Sequence, residues 1–141
     1  MQILNESNDR IILRVDPGEE LREIVQNVCK EKGISAGWVS ALGSSQKLQL
    51  AYYNLDTKGY ETKDFNEHLE IVTITGNIAL KDSEPFLHIH GTFSDSDMKV
   101  IGGHVNSCVI SATGEVVIHI GEGAMVRLHD EETGLFLLQK E

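Results

Sequence analysis

Apolar residues first repeat with a helical period near the N-terminal end of the chain. The repeating residues are Leu21, Ile24, Val25 and Val28. Their i, i+3, i+4, i+7 spacing places them on one face of a helix, and Glu20, Arg22 and Glu23 then face water. Pro17 marks the turn before this run, and Gly33 supplies the stop. The pattern predicts one main helix over about residues 18–33.

The rest of the chain has the alternating pattern of an antiparallel sheet. A short apolar run at 11–15 precedes the helix, and β-branched or alternating runs follow Gly33, separated by Gly, Asn, Asp and Ser. The predicted strands lie near residues 36–42, 47–54, 58–64, 69–80, 86–93, 99–110, 115–121, 124–129 and 134–138. Gly76 lies inside one of them, EIVTITGNIAL, where a glycine indicates a bulge or the close approach of another backbone.

These elements favour one α+β domain, a mostly antiparallel twisted sheet with the helix packed on it. The chain has 141 residues, 40% of them hydrophobic and 24% charged, which is typical of a single soluble domain. We expect residues 1–141 to form that domain, with its core at about residues 10–138. No apolar run approaches the roughly 20 residues that a transmembrane helix needs.

Acidic residues outnumber basic residues, 22 to 12, and give the chain a formal net charge of −10. This charge repels nucleic acid and anionic membranes. The arginines are scattered along the chain and are interpreted as solvated surface charges. They are Arg10, Arg14, Arg22 and Arg127. We therefore expect neither nucleic acid nor a membrane as a partner.

Two cysteines, Cys29 and Cys108, are too few for a disulfide framework and form no CxxC pair. Cys29 falls near the apolar helix face and Cys108 inside a strand-like run, so both are expected to be buried free thiols. The first ten residues lack the cationic start and apolar stretch of a signal peptide. We expect a reducing, cytoplasmic location.

Three histidines fall within the segment PFLHIHGTFSDSDMKVIGGHV. Side chains alternate along a strand, so His88 and His90 share one face while Leu87 and Ile89 point into the core. The polar run that follows is suited to the turn of a hairpin. The segment therefore predicts two histidines on one exposed face of a hairpin strand.

The length of the hairpin loop decides where the third histidine lies. If the loop is the five residues 95–99, His90 lies directly opposite His104, with Cβ atoms about 4.5–5.5 Å apart. A four-residue loop would place His104 on the other face, unless Gly102 and Gly103 form a bulge that restores the register. The five-residue loop predicts that three imidazoles converge.

Three imidazoles on one face form a donor set for a divalent metal, and zinc matches it best. Three protein ligands leave a fourth tetrahedral position open for water or substrate. The alternative is that these histidines lie unligated on a wet sheet face. Glu70, at the start of the EIVTITG run, is a candidate base, a fourth ligand or a partner that orients a ligand, or else a solvated acid. A structural or solvated role is expected for His68, His119 and His129.

Four segments together resemble the plant-and-prokaryote-conserved (PPC) domain. They are LRVDPGEELREIV, WVSALGSS, HLEIVTITGNIAL and LHIHGTFSDSDMKVIGGHV. The order HxH, polar turn and GGH is similar to the prokaryotic branch of the family. The resemblance implies a compact α/β fold with one antiparallel sheet, a homotrimer, and a metal bound by His88, His90 and His104. Plant members carry AT-hook segments that bind the DNA minor groove, whereas this chain has no Arg-Gly-Arg-Pro core.

Two classes of function follow from these observations. The first is a metal-dependent enzyme or small-molecule binder that uses the three-histidine site. The alternative is a DNA-binding or regulatory interaction module, as in relatives of the family, with a structural metal whose shell a residue such as Glu70 closes. The sequence has no HExxH, P-loop, GxSxG or GxGxxG motif, so the usual hydrolase and nucleotide-binding classes lack support.

Overall fold

The computed structural model describes residues 1–140, and these residues form nine strands and one helix. The strands are β1 (Gln2–Glu6), β2 (Arg10–Val15), β3 (Ala36–Asn54), β4 (Gly59–Phe65), β5 (Leu69–Lys81), β6 (Glu84–Ser94), β7 (Val100–Ile120), β8 (Met125–His129) and β9 (Phe136–Lys140). The helix α1 spans Leu21–Lys32. The predicted α+β class, with one helix and many strands, agrees with this architecture.

Strand boundaries differ from the prediction in two ways. The predicted strands 36–42 and 47–54 are one long strand, β3, and 99–110 and 115–121 are likewise joined in β7. Register shifts near Gly43 and Ser45 let β3 continue through the glycine and serine residues that resemble a break. Strand β1 was not predicted, because all its side chains are exposed and only its pairing with β2 makes it a strand.

Four strands pair in a closed circuit: β3 with β5, β5 with β6, β6 with β7, and β7 again with β3. Outside the circuit, β2 pairs with β7, β1 with β2, and β4 with β3. All these pairs are antiparallel, as predicted. Strands β8 and β9 form a hairpin that joins β5 through one parallel contact between Val126 and Leu80, so the described sheet is mostly antiparallel.

The helix begins later than predicted, because residues 18–20 form the turn that caps it. Glu20 is the N-cap, and its carboxylate accepts the backbone N–H groups of Arg22 and Glu23. Gly33 ends the helix in the left-handed region at φ 66°. The apolar helix face is buried against β6 and β7. Within the described chain, no helix is long and apolar enough to cross a membrane.

Two residues that were expected to face water are partly buried instead. The Glu20 carboxylate also accepts the backbone N–H of Cys108 at 2.7 Å, which ties the helix start to β7. Arg22 donates from Nη1 to the carbonyl oxygen of Val105 at 3.0 Å, and its guanidinium lies over the ring of Phe86. The helical period predicts which residues share a face of the helix. It does not predict that β7 lies close to the polar residues at the edge of that face.

Alternate residues of the central strands fill the core, as the pattern predicts. Leu87 and Ile89 of β6 are 1% and 0% exposed, and both cysteines are buried and free. Each fully buried aliphatic side chain of this kind stabilises the fold by about 1.5–3 kcal/mol. Gly76 pairs with Ile89, and a Cβ at Gly76 would clash with the carbonyl oxygen of His88. The predicted close approach of another backbone at Gly76 is confirmed.

Candidate metal centre

The β6–β7 hairpin sets the register of the three histidines. Its loop is the predicted five residues, 95–99, between the paired ends of the two strands. Asp95 closes the loop, since its N–H donates to the carbonyl oxygen of Lys99 at 3.1 Å and its Oδ1 accepts the N–H of Lys99 at 3.0 Å. The ladder continues without a shift until His90 lies opposite His104. The predicted register is confirmed, and no bulge is needed to produce it.

The three imidazoles form a nearly equilateral triangle. Ring centroids are 5.2 Å apart for His88 and His90, 5.1 Å for His88 and His104, and 5.3 Å for His90 and His104. Each ring offers one nitrogen, and these three nitrogens all lie within 4.8 Å of one another. The arrangement can bring three neutral nitrogen ligands to one cation.

Exposure differs across the triangle. His104 is 8% exposed, and its buried Nδ1 has no hydrogen-bond partner among the described residues. His90 is exposed, and His88 lies between these extremes. A buried polar nitrogen without a partner is energetically costly. A bound ligand that pairs with His104 Nδ1 would remove this cost.

A groove of about 260 Å³ borders the exposed side of the triangle. It is lined by Thr73, Thr75, His90, Gly91, Thr92, Gly102 and Gly103. The hydroxyl of Thr75 accepts the indole N–H of Trp38 at 3.0 Å, so the groove wall is a polar surface next to an aromatic ring. The groove gives a small polar molecule access to His90.

Burial keeps two of the three rings uncharged. It is the largest cause that lowers the pKa of His88 from 6.5 to about 4, and the positive charge of Arg127 is the next. Burial also lowers the pKa of His104 to about 4, with His88 and His90 adding to the effect. Both rings are therefore neutral at pH 7, which is the form that binds a metal.

Arg127 lies beside the triangle, a position that the sequence pattern does not predict. It was interpreted as a solvated surface charge, but it is only 9% exposed. Its Nη2 lies 2.9 Å from His88 Nδ1 and donates to Asn77 Oδ1 at 2.8 Å, while Nη1 donates to the Phe136 carbonyl oxygen at 2.8 Å. Its place between apolar residues in MVRLH was the only sequence signal. The contact itself depends on where the β8–β9 hairpin lies.

The other candidate residues lie apart from the triangle. Glu70 is exposed at the start of β5 and pairs with Ser94, whereas Thr75, five residues further on, pairs with His90. Among the residues that the structure describes, the group of converging ligand atoms contains the three histidines and no carboxylate. The side chains of His68, His119 and His129 are exposed. The ring of Tyr60, which was not predicted, lies 5.4 Å from that of His104.

The chain matches the family model of the Plants and Prokaryotes Conserved (PCC) domain over residues 4–121. This is the family that the sequence segments resemble. A curated relative is the bifunctional protein GlmU from Synechococcus sp. (strain JA-3-3Ab), 28% identical over 110 residues. The alignment covers 75% of this chain, and the chain spans only 16% of the length of that relative.

Two solved structures are similar over almost the whole chain. A metal-containing protein from Archaeoglobus fulgidus is 35% identical, with a TM-score of 0.86 and 99% of each chain covered. A protein from Bacteroides thetaiotaomicron, provisionally named as DNA-binding, is 30% identical with a TM-score of 0.92. That alignment covers 96% of this chain and 94% of the other. The fold is therefore shared by one protein described as metal-containing and by another provisionally named as DNA-binding.

Proposed function

Because the chain belongs to the Plants and Prokaryotes Conserved domain family and its three histidines converge, we propose that it binds a divalent metal, zinc, through His88, His90 and His104. The observation that carries the proposal is the group of three nitrogens within 4.8 Å of one another. The metal would leave one coordination position for a small molecule, so the protein acts as a metal-dependent enzyme or small-molecule binder.

The residues fit zinc in chemistry and nearly in spacing. Zinc–nitrogen bonds of about 2.0–2.1 Å in a tetrahedron place the ligand atoms about 3.4 Å apart. The nitrogens lie within 4.8 Å, so modest rotations of the rings would close the shell. The partnerless Nδ1 of His104 supports the same assignment, as does the metal-containing relative from Archaeoglobus fulgidus, 35% identical over 99% of both chains.

Two features favour an open metal site over a structural one. Structural zinc is held by four protein ligands, whereas the converging group in the described chain has three. The groove beside His90 gives an outside molecule a route to the fourth position. When bound, zinc would polarise a substrate oxygen or lower the pKa of a bound water. The protein's own part is to supply neutral imidazoles and to orient what enters the groove.

Metal content and uptake test this proposal. We expect the purified protein to carry or take up about one divalent ion per chain, and His104→Ala to lose it. The control is His119→Ala, which removes an exposed histidine that lies outside the triangle. A wild-type protein that takes up no zinc would overturn the metal proposal. Equal metal loss in both variants would show that the triangle is not the site.

A chelator separates the open site from the structural one. Removal of a structural metal should cost much of the stability of the fold, because its binding energy is folding energy. The core of this chain is continuous without the histidines, so we expect a small change in melting temperature for an open site. Unfolding of the metal-free protein at moderate temperature would support the structural alternative.

We also propose that the protein assembles as a homotrimer. The resemblance to the family implies this assembly, and large exposed apolar residues would suit its interface, among them Trp38 at 50%, Leu42 at 52% and Val72 at 54%. Exposed apolar side chains of this size are typical of interaction surfaces when they form one patch. Light scattering during gel filtration would give the mass directly, and Leu42→Glu is expected to lower it. A monomeric wild-type protein would refute the proposal.

DNA binding is the second proposal, and it rests on the provisional name of the Bacteroides thetaiotaomicron relative. The net charge of −10 opposes it, because phosphate contacts need a basic surface. A gel shift at about 50 mM salt gives such binding its best conditions. The absence of a shift there would remove this function and leave the metal-dependent one.

A further inference from the structure

The charged groups around the histidine triangle are cations. Arg127 contacts His88, and Arg22 is the second positive group that acts on both His88 and His104. The converging ligand group of the described chain contains no carboxylate, although Glu20 acts on Arg22 from the start of the helix. A divalent metal would therefore add its charge to a site whose ligands are neutral and whose neighbours are positive. Such a site favours an anion in the open position.

The contact between Arg127 and His88 has a fixed direction. A guanidinium has only N–H donors, so His88 Nδ1, 2.9 Å from Arg127 Nη2, accepts with its lone pair. If a metal binds at Nδ1, it takes that lone pair. If a metal binds at Nε2, the neutral ring carries its proton on Nδ1, which then no longer accepts. In both cases the metal and this hydrogen bond exclude each other.

Metal binding therefore frees a donor of Arg127 inside the protein. The guanidinium stays in place, because Asn77 Oδ1 and the Phe136 carbonyl oxygen each accept from it at 2.8 Å. Within the part of the chain that the structure describes, its buried Nε has no hydrogen-bond partner. A further unpaired donor on a cation that is 9% exposed is unfavourable, and no carboxylate forms a salt bridge with Arg127 in the described chain.

We propose that the open metal position takes an oxyanion, a carboxylate or phosphate, whose oxygen accepts the Nη2–H of Arg127 that His88 no longer accepts once it binds the metal. The inference rests on the metal-binding function proposed above and names the class of its ligand. Arg127 is a binding residue that couples the two events: a bound metal makes its donor available, and a bound anion balances the metal's charge. The threonine hydroxyls of the groove beside His90 are further donors for such a group.

Cobalt-loaded protein tests the coupling. Cobalt absorbance reports a change of the fourth ligand, and the probes are sodium acetate and inorganic phosphate, each at matched ionic strength in a weakly coordinating salt. We expect at least one probe to shift the spectrum of the wild type and to tighten cobalt binding. By linkage, cobalt then tightens the binding of that anion by the same factor. The responding probe tells a carboxylate from a phosphate ligand. A spectrum and cobalt affinity that neither probe changes would overturn the inference.

Arg127→Gln separates this role from a structural one. It removes the positive charge beside His88, so cobalt should bind at least as tightly as in the wild type without anion. Anion binding should weaken about tenfold to a hundredfold, as expected for loss of a charge-assisted hydrogen bond. Weaker cobalt binding with unchanged anion coupling would make Arg127 a structural residue and contradict the proposal.

Two further variants keep the test decisive. Arg127→Lys retains the charge with fewer donors and should give an intermediate anion affinity. Arg10→Gln removes an exposed arginine on β2 and should behave as the wild type. If the wild type binds no cobalt, the metal function and this inference both fail. If cobalt binds and anions have no effect, only this inference fails.

Discussion

Gly76→Ala is a small change that should damage both the fold and the metal centre. Gly76 on β5 lies against the backbone of β6, where a Cβ would clash with the carbonyl oxygen of His88 and lie 2.7 Å from Ile89 Cα. Carbon atoms pack at about 3.5–4.0 Å, so the two strands must move apart by about 0.8 Å or more. That movement is centred on a histidine of the triangle.

The size of the effect follows from these distances. Overpacking of this kind costs about 1–3 kcal/mol, which lowers the melting temperature of a domain of this length by about 4–12 °C. A metal site tolerates displacement of a ligand by about 0.5 Å, so a larger displacement of His88 should weaken zinc binding by about 10–100-fold. The matched control is Gly121→Ala, since its Cβ would lie 3.4 Å from the atoms of Ala36, an ordinary contact.

Thermal unfolding and zinc titration calorimetry measure the two effects. We expect Gly76→Ala to lose both stability and affinity, and Gly121→Ala to stay within about 1 kcal/mol of the wild type with unchanged affinity. Wild-type melting temperature and zinc affinity in Gly76→Ala would contradict the predicted clash with β6. A loss of stability with intact affinity would show that the backbone at Gly76 does not position His88.

Three further predictions concern the helix cap, the thiols and pH. Glu20→Ala removes the acceptor of three backbone N–H groups and should lower the free energy of unfolding in urea by about 2–4 kcal/mol. Glu20→Asp should retain the cap and lose less stability. An unchanged urea midpoint for the alanine variant would contradict this prediction. Burial raises the pKa of Cys29 and Cys108 to about 12, so iodoacetamide should label them only after unfolding, and rapid labelling of the native protein would disprove their burial. Because His88 and His104 have a pKa of about 4 when folded and about 6.5 when unfolded, the unfolded chain binds more protons between these values. The metal-free protein should therefore lose stability as the pH falls from about 6.5 to about 4. Replacement of both histidines by Gln should reduce this dependence of the unfolding free energy on pH, measured by denaturant titrations. An equal pH dependence in the variant and the wild type would contradict the prediction.

The histidine hairpin could be predicted because its determinants are local. Side-chain alternation places His88 and His90 on one face, and the length of one polar loop fixes where His104 pairs. The helix was predictable for the same reason, since the apolar period and Gly33 lie within a few turns of each other. Neighbouring residues in the chain carry enough information for these features.

Features that depend on distant segments could not be read from the pattern. Arg127 resembles any strand-edge arginine until the β8–β9 hairpin places it against His88 and Asn77. The late start of the helix likewise depends on β7, because the Glu20 carboxylate binds the N–H of Cys108, 88 residues away. Strand β1 is defined only by its pairing with β2. Each of these features depends on packing between segments that are distant in the sequence, which local propensity does not predict.

An anomalous diffraction map at the zinc edge would locate zinc in crystals of the zinc-loaded protein. We expect one strong peak per chain inside the triangle of His88, His90 and His104, with a fourth coordination position that no described residue occupies. A crystal of zinc-loaded protein with no peak in the triangle, or with a peak bound by other residues, would contradict it.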